Sequence, residues 1–408
     1  MANNELKFPE NFLWGTGTSA YQIEGGNKND WSEWEKSEVR RKKLEEAGLK
    51  LEDYISGSAC DSYNRYEEDF DLCLGLNNNA HRLGIEWSRI EPEEGRFNQK
   101  EIEHYRQVLL ALKKRGLKTF VTLWWWTNPL WLKDVGGWEN KNIVFYFSRY
   151  VEIIAKELGE NIDFWMTLNE PLMIVGHGHL DGKFPPNKRK DFIGAIKLGM
   201  NFLRVHKAAY KKIHEISPNA KIGIVMSTGN FTAAHKYNPI EYLIVKLADY
   251  FRNFWLLNKL KIYFDFIGVN YYHHDRIIWH PPFKKNINEK ITDFGWEIYP
   301  EGIYHVLMGY KKFGKPVYIT ENGIADEDDD RRAQFIIDHL KHIHQAICEG
   351  VNVGGYFYWS LLDNFEWADG YKMKFGLFKV DRQTFVRTPQ PSSKVYSEIC
   401  KNNSIINN

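Results

Sequence analysis

The chain is poor in features that would each point to a particular class of partner. It carries almost no net charge, because 54 lysine and arginine residues balance 53 aspartate and glutamate residues and leave a formal charge of +1. Without an excess of basic groups there is little to attract nucleic acid or a membrane surface, and we expect neither as a partner. No run reaches the roughly 18 consecutive apolar residues that a membrane-spanning helix needs.

Cysteine is also scarce. Cys60, Cys73, Cys348 and Cys400 are scattered along the chain and form no CxxC pair. We interpret them as reduced thiols of a cytoplasmic protein. The first residues, MANNELKFPENFLWG, contain no basic start followed by an apolar run, so the sequence predicts no secretory leader.

Metal-ligand spacing is missing as well. His177 and His179 lie two residues apart, and His273 and His274 are adjacent. No third ligand follows either pair at the spacing of a zinc site. We therefore expect no metal and interpret these histidines as loop residues.

Aromatic residues are plentiful by contrast, at 15% of the chain with 15 tryptophans. Trp124, Trp125 and Trp126 stand in a row within VTLWWWTNPLW, residues 121–131. Because successive side chains of a strand point to opposite faces, three consecutive indoles cannot all enter one core. A large core accounts for many aromatic residues, but this pattern also favours ring surfaces that bind a ligand.

Eight short β-rich runs recur along the chain, and amphipathic segments separate them. The runs are FLWGTGTSA, NAHRLGIEW, KTFVTLWWW, DFWMTLNEP, KIGIVM, DFIGVNYY, PVYITENG and GGYFYWSLLDN. Helices are predicted from about Ile102 to Gly116, capped by Asn98, and from Ile143 to Leu158. Alternating strands and helices in this number predict an α/β fold, a closed (β/α)8 TIM barrel. No linker interrupts the chain, so we assign residues 1–408 to one domain.

Two of the predicted strands end in glutamate, Glu170 in TLNEP and Glu321 in ITENG. Active sites of such barrels lie where the strands end, at the C-terminal face. Either glutamate alone has about even odds of being a solvated loop residue, because charges usually lie outside. Two at one barrel mouth, each beside an asparagine, instead suggest glycoside hydrolysis, which needs one protonated and one ionised carboxyl group.

Other predicted strand ends carry compatible groups. Arg82 is suited to holding a carboxylate in its ionised form, and Tyr272 to donating a hydrogen bond to it. The amide and carboxyl groups of Gln22, Asn169, Asn270 and Glu366 suit sugar hydroxyls, and the rings of Trp359 and Trp367 suit the C–H face of a pyranose. Each residue alone also has an ordinary structural explanation, such as a surface ion pair or a core ring. The hypothesis depends on the whole set.

Six motifs in order along the chain resemble glycoside hydrolase family 1, the β-glucosidase and β-galactosidase family. They are FLWGTGTSAYQIEGG, RLGIEWSRIEP, TLNEP, DFIGVNYY, YITENG and YFYWSLLDNFEWADGYKMKFGLFKVD. The resemblance covers essentially the whole chain. It implies a hydrolase that retains anomeric configuration and requires no cofactor.

The resemblance also implies roles for individual residues. Glu170 would be the acid/base and Glu321 the nucleophile, with Arg82, Tyr272 and Asn270 as catalytic support. The glycone would contact a larger set of side chains: Gln22, Trp125, Trp126, Asn169, Trp359, Glu366, Trp367 and Phe375.

Trp125 departs from the family pattern, because it stands where the family usually has a histidine that binds a glycone hydroxyl. Indole offers one donor and no acceptor, whereas imidazole offers both. We therefore expect Trp125 to weaken glycone binding or to change the preferred sugar. Trp126 would line the site, and Trp124 would pack on the other face.

The connection at residues 227–264 is a second departure, because it is shorter than the family usually has. Its aromatic residues predict a helix packed on the barrel. An alternative is that the short connection opens a cavity for a planar apolar molecule such as haem, with Tyr263 as a ligand.

The expected function is hydrolysis of terminal β-D-glucosides and related galactosides and fucosides by double displacement. Glu366 would repel a phosphate and so favours neutral sugars over 6-phospho-sugars. A carbohydrate-binding or weakly active degenerate barrel remains open because of Trp125, and so does a transglycosylase. The sequence indicates neither the exact glycone nor the oligomeric state.

Overall fold

The structure, a computed structural model, describes residues 5–285 and 290–406. Within them, parallel strands close into an eight-stranded barrel in sequential order. The strands are β1 (Leu13–Gly17), β2 (Ala80–Gly84), β3 (Lys118–Thr122), β4 (Phe164–Asn169), β5 (Lys221–Ala233), β6 (Phe266–Ile277), β7 (Val317–Asn322) and β8 (Val353–Tyr358). Each overlaps one predicted run, although β5 and β6 continue beyond the predicted ends to Ala233 and Ile277, and the (β/α)8 barrel is confirmed. The assignment of residues 1–408 to one domain includes residues outside the described ranges and stays a prediction.

Helices surround the barrel and occupy the connections between its strands. They are α1 (Ala20–Ile23), α2 (Asp30–Trp34), α3 (Glu38–Glu46), α4 (Ser62–Gly75), α5 (Trp87–Ile90), α6 (Gln99–Lys114), α7 (Leu130–Asp134), α8 (Ile143–Leu158), α9 (Pro171–Met173), α10 (Phe192–Ile216), α11 (Pro239–Asp249), α12 (Trp255–Leu260), α13 (Glu301–Tyr310), α14 (Arg332–Cys348) and α15 (Pro391–Asn402). Two π-helical segments, Ile174–Leu180 and Tyr250–Phe254, extend α9 and join α11 to α12. In the described part of the chain, no helix is both long and apolar enough to span a membrane.

Shorter elements complete the fold. Single 3-10 turns lie at Leu51–Tyr54, Gly137–Glu139, Gly159–Asn161, Lys311–Phe313 and Trp367–Asp369. Glu5–Lys7 pairs with Ser404–Ile406, and Phe378–Val380 pairs with Arg387–Pro389, each pair antiparallel. The first of these pairs joins the two ends of the described chain.

The two helices predicted in detail form as expected. The Asn98 side chain accepts hydrogen bonds from the backbone N–H groups of Lys100 and Glu101, which satisfies donors that a helix start leaves unpaired. Helix α6 buries the apolar stripe that contains Ile102, Tyr105 and Leu109. Helix α8 begins at Ile143 and ends at Leu158, as predicted, with the same kind of stripe facing the barrel.

Register shifts concentrate at the strand ends. Pairing shifts between Met166 and Asn169 on β4, between Val269 and Asn270 on β6, and between Ile319 and Asn322 on β7. An irregular pairing bends a strand locally and re-aims its side chains. These shifts therefore lie where the strands that carry Glu170, Asn270 and Glu321 reach the barrel mouth.

Aromatic rings fill part of the barrel interior. Phe120 and Phe164 stack with ring centroids 4.1 Å apart, and Phe266 and Phe357 pack around Phe120. Room for these rings depends on glycine. A Cβ atom at Gly223 would lie 2.5 Å from the Phe266 ring, closer than van der Waals contact allows.

We expect Gly223→Ala to destabilise the protein by about 1–3 kcal/mol, the usual cost of overpacking a dense core. Gly75→Ala is the matched control, because a Cβ atom there meets no atom within 4 Å. Its free energy of unfolding should stay the same or rise slightly. Urea unfolding of both variants checks this, and equal stabilities would contradict the packing argument.

Candidate active site

One cavity of about 120 Å³ lies at the C-terminal ends of the strands. It gathers most residues that the sequence predicted for the site. All but Arg82 and Asn270 line it, namely Gln22, Trp125, Trp126, Asn169, Glu170, Tyr272, Glu321, Trp359, Glu366, Trp367 and Phe375. Arg82 and Asn270 lie directly behind the wall, where they donate hydrogen bonds to Glu321 and Glu170.

The carboxylate of Glu321 accepts hydrogen bonds from two side chains. Nη1 of Arg82 donates to its Oε1 at 2.6 Å, and the Tyr272 hydroxyl donates to its Oε2 at 2.5 Å. Both oxygens of this buried carboxylate are therefore bound, one by a full positive charge. Charge-assisted bonds of this kind favour the ionised form of the carboxyl group.

Glu170 follows β4 directly and adopts a left-handed backbone conformation with φ of 44°. Its side chain is buried, and Nδ2 of Asn270 donates to its Oε1 at 2.8 Å. No ion pair to Glu170 forms among the described residues. Its environment thus differs from that of Glu321, because a neutral amide takes the place of the arginine.

The pKa values follow from these environments. Burial, with a further contribution from the charge of Glu321, raises the pKa of Glu170 to about 7. Burial also raises the pKa of Glu321, but Arg82 and the Tyr272 hydroxyl act against it. Between the two glutamates, Glu321 is the one that a cation from the described residues contacts directly, so a single proton shared by the pair resides on Glu170.

Arg82 is fixed by several acceptors. Its Nη2 donates to Oδ1 of Asn169 at 2.7 Å, and its Nη1 donates to the Thr320 carbonyl at 3.0 Å as well as to Glu321. The side chain is completely buried. Because the guanidinium is held on strands β4 and β7 at once, it sets the position of Glu321 relative to β4.

A third glutamate, Glu366, also lines the cavity. Glu366 accepts a hydrogen bond from Nε2 of Gln22 at 3.1 Å. Burial and the nearby charges of Asp369 and Glu321 raise the pKa of Glu366 to about 8. Gln22 is itself held by Ser19, Asn364 and the Phe365 carbonyl. The pair presents fixed polar atoms to the cavity.

Aromatic rings form the remaining wall. Trp126 packs on Trp367 with centroids 4.6 Å apart, and its Nε1 donates to the Asn169 carbonyl at 3.0 Å. The ring centroids of Trp359 and Trp125 lie 5.5 Å apart, and those of Phe375 and Tyr272 lie 6.0 Å apart. The cavity therefore combines charged groups with flat apolar surface, a composition typical of carbohydrate sites.

The three consecutive tryptophans have different surroundings. Trp124 packs against Trp138 and Phe202, as predicted for a core ring. Trp125 lines the cavity, and its ring also lies over the Arg82 guanidinium, with Cζ 4.0 Å from the ring centroid. The sequence argument treated Trp125 only as a lost histidine. It missed this cation–π contact, which no sequence pattern indicates.

Several lining residues were not predicted. Arg252 donates to the carbonyl and the hydroxyl of Ser227, and its charge lowers the pKa of Glu170. Other lining side chains were also missed: Met173, His177, Lys183, Phe184, Ser227, His273, Phe294, Trp296 and Asp369. Most of them belong to the connections after the strands, whereas the sequence argument considered mainly the strand ends.

The histidines do not lie in loops, so that prediction is wrong. His177 and His179 belong to the π-helical segment after Glu170, and His273 and His274 belong to β6. In the described ranges, one group has the spacing of metal ligands, formed by Glu139, His179 and Asp191. The positions of His179 and Asp191 in the sequence did not indicate that these two residues lie close together.

This cluster already contains a cation. The Lys188 ammonium forms ion pairs with both Glu139 and Asp191, and His179 hydrogen-bonds Glu139 at 3.0 Å. The Lys188 ammonium therefore offsets part of the negative charge of the two carboxylates. The cluster of Glu139, His179 and Asp191 lies outside the cavity that Glu170 and Glu321 line.

Comparisons with known proteins agree with this arrangement. The family model described as glycosyl hydrolase family 1 matches residues 4–259 and 256–405. Beta-glucosidase A of Thermotoga maritima is 35% identical over 98% of this chain and 99% of its own length, and the beta-galactosidase of Pyrococcus woesei is 31% identical over 98% of each.

Solved structures are similar over the same extent. The Thermotoga maritima beta-glucosidase in complex with glucoimidazole has a TM-score of 0.90 at 34% identity, covering 98% of this chain and 100% of that one. A beta-glycosidase from Pyrococcus horikoshii has a TM-score of 0.88 at 39% identity, covering 99% and 97%. With the fold, the carboxylate pair and a match along nearly its full length, this chain belongs to glycosyl hydrolase family 1.

Proposed function

We propose that the protein hydrolyses terminal non-reducing β-D-glucosides, and related galactosides and fucosides, by a double displacement that retains anomeric configuration. The observation that carries the proposal is the asymmetric carboxylate pair. Glu321 is bound by Arg82 and Tyr272, while Glu170 has a neutral donor and a pKa of about 7. Retaining glycosidases need one carboxylate as nucleophile and one carboxylic acid as proton donor.

In the first step, Glu170 donates its proton to the glycosidic oxygen while a Glu321 oxygen attacks the anomeric carbon. The bond to the leaving group breaks, the leaving group departs as an alcohol, and a covalent glycosyl-enzyme forms on Glu321. Once Glu321 is esterified, it no longer contributes negative charge. Burial still raises the pKa of Glu170, but the added contribution from the charge of Glu321 is removed, so Glu170 is better suited to act as a base.

In the second step, the Glu170 carboxylate takes a proton from water, whose oxygen attacks the anomeric carbon. The bond to Glu321 breaks and the sugar leaves with its original configuration. The two carboxyl groups supply the acid, the base and the nucleophile, so the proposal includes no metal or organic cofactor. If a second sugar replaced water, the same site would perform transglycosylation.

The glycone would lie between the Gln22–Glu366 pair and the two carboxylates, with Trp359 beneath it. Gln22, Asn169 and Glu366 offer donors and acceptors to hydroxyl groups, and Trp367 and Phe375 offer apolar surface. A pKa of about 8 keeps Glu366 largely protonated at pH 7. Glu366 itself therefore repels a phosphate group less strongly than the sequence argument assumed. Asp369 and Glu321 still oppose an anion there, which supports a neutral sugar.

The names of the relatives support both glucose and galactose as glycones, since they include beta-glucosidases and a beta-galactosidase. A cytoplasmic location is part of the proposal and is supported by four free thiols, of which Cys60, Cys73 and Cys400 are buried. A protein that only binds carbohydrate is not favoured, because binding alone does not require a nucleophile held by Arg82 and Tyr272.

A 2-deoxy-2-fluoro-β-glucoside with a good leaving group should label Glu321. Fluorine slows the second step, so the covalent intermediate accumulates. Peptide mass mapping after digestion locates the label, and Glu321→Gln is the control that should take up none. A label on another residue, or steady turnover of ordinary substrates by Glu321→Gln, would contradict the assigned nucleophile.

Glu170 must be protonated in the first step, so kcat/KM for a substrate with a poor leaving group should fall as pH rises through about 7. Glu170→Gln cannot titrate and should lack this alkaline limb. It should slow substrates with poor leaving groups by roughly 10²-fold or more, but should spare glycosylation by dinitrophenyl glucosides. Equal losses for both substrates would argue against the acid role.

The contact between Trp125 and Arg82 predicts different effects for two replacements. Trp125→Phe keeps an aromatic face over the guanidinium, whereas Trp125→Leu removes it. A desolvated cation–π contact is worth about 2 kcal/mol, so the leucine variant should lose kcat/KM by roughly tenfold or more. Its acidic limb should move to higher pH, because a displaced Arg82 no longer lowers the pKa of Glu321.

Melting temperatures of both Trp125 variants separate this effect from unfolding. The phenylalanine variant should keep an acidic limb close to that of the wild type. If both variants lose activity equally and neither shifts the limb, the indole acts only by filling space.

A further inference from the structure

A second cavity of about 930 Å³ lies beside the active site, outside the ring of strand ends. Three walls form it: the π-helical segment after Glu170, the first half of α10, and the short connection between β5 and β6. The connection contributes Ala248, Phe251 and Trp255, and Phe231 comes from the end of β5. Tyr263 does not line this cavity. Its ring packs against Tyr210, with Lys207 close to it.

The lining of this cavity is almost entirely apolar. Apart from Arg252 and the indole N–H of Trp255, its side chains carry no hydrogen-bonding group, and the set includes Leu172, Val175 and Met200. The rim is exposed, with Phe192 65% and Ile196 70% accessible. The volume falls in the range of small-molecule pockets. A sugar or a peptide would find too few hydrogen-bond partners here, whereas hydrocarbon would bury apolar surface.

The two cavities meet at Arg252, which lines both. They also share the wall that follows Glu170. Met173 and His177 of this wall face the sugar cavity, while Leu172 and Val175 face the second one. An acid must lie next to the leaving oxygen that it protonates. The leaving group of a substrate therefore departs on the side of the second cavity, which we call the apolar groove.

We propose that the groove binds the hydrocarbon tail of an amphiphilic β-glycoside, whose sugar occupies the cavity of Glu170 and Glu321. The inference rests on the proposed function, because it assigns the aglycone of the same reaction. The ligand class is a glycoside with a medium or long alkyl chain. The tail would pass Arg252 and lie against Val175, Ile196 and Phe251.

A series of n-alkyl β-glucosides from ethyl to decyl tests this, at concentrations below those at which the longer members form micelles. Leaving-group chemistry is nearly constant from butyl upward, so a trend reports binding of the tail. We expect kcat/KM to rise about two- to fourfold for each methylene that enters the groove, as burial of hydrocarbon predicts. A flat dependence from butyl to decyl would overturn the proposal.

Two groove variants and one matched control locate the effect. Ile196→Gln makes the groove polar, and Ala248→Trp fills it. Both should flatten the dependence on chain length and leave ethyl glucoside hydrolysis unchanged. Ile193→Gln changes the same residue type on the same helix at a position that is 83% exposed and outside the groove, and it should keep the wild-type dependence. If all three variants behave alike, the tail binds elsewhere and the proposal is wrong.

A separate measurement distinguishes this failure from failure of the proposed function. Alkyl β-thioglucosides resist hydrolysis and serve as competitive inhibitors of a chromogenic β-glucoside. Activity on that substrate with inhibition constants independent of chain length would overturn the groove and keep the glycosidase. If no β-glycoside is turned over, the proposed function fails first. If Ile196→Gln dissociates a dimer while chain length has no effect, the groove is a subunit contact instead.

Discussion

The ion pair between Arg82 and Glu321 is the contact on which the site depends. It is fully enclosed by the barrel, and transferring both charges from water costs several kcal/mol for each ion before any gain from their attraction. The arginine therefore needs further acceptors, and it finds them in Asn169 and the Thr320 carbonyl. Such an arrangement is poor evidence for added stability, but it favours the ionised form of Glu321 at a buried position where desolvation alone would favour the neutral acid. The closed barrel makes it possible, because it brings β2, β4 and β7 to one point.

The ion pair also determines how Glu170 behaves. Because Arg82 pairs with Glu321 and no ion pair to Glu170 forms within residues 5–285 and 290–406, Glu170 remains a buried carboxyl group beside a negative charge, and both conditions favour its protonated form. Asn270 holds it without neutralising it and links it through Asn169 to the same arginine. Two identical side chains thus acquire opposite tasks from their neighbours alone. Their difference lies in one guanidinium group, which is why its stacking on Trp125 bears on the pH dependence of the whole site.

Much of this could be predicted from the sequence, because strands of a parallel barrel place their last residues at one mouth. That rule was sufficient for Glu170, Glu321, Arg82 and Tyr272, and the resemblance of the motifs implied their individual roles. The rule could not identify Arg252, which lies in a π-helical segment distant in sequence from the strand ends. The charge of Arg252 lowers the pKa of Glu170. Nor could the rule find the Trp125 contact, since the aligned position indicated only which residue was absent. Both depend on tertiary packing that local patterns do not encode.

The connection between β5 and β6, which we expect from the sequence to be shorter than the family usually has, follows an extended strand pair. Strands β5 and β6 continue to pair beyond the barrel mouth, as far as Ala233 and Ile277, and this ribbon supplies backbone hydrogen bonds that do not depend on the connection. Arg252 anchors the connection to Ser227 at the base of the ribbon. The barrel is closed, and Phe192, Ile193 and Ile196 in the first half of α10 are exposed. The exposed apolar surface lies beside Glu170, the proposed acid/base, so the packing of this connection bears directly on which leaving groups the proposed reaction can accept.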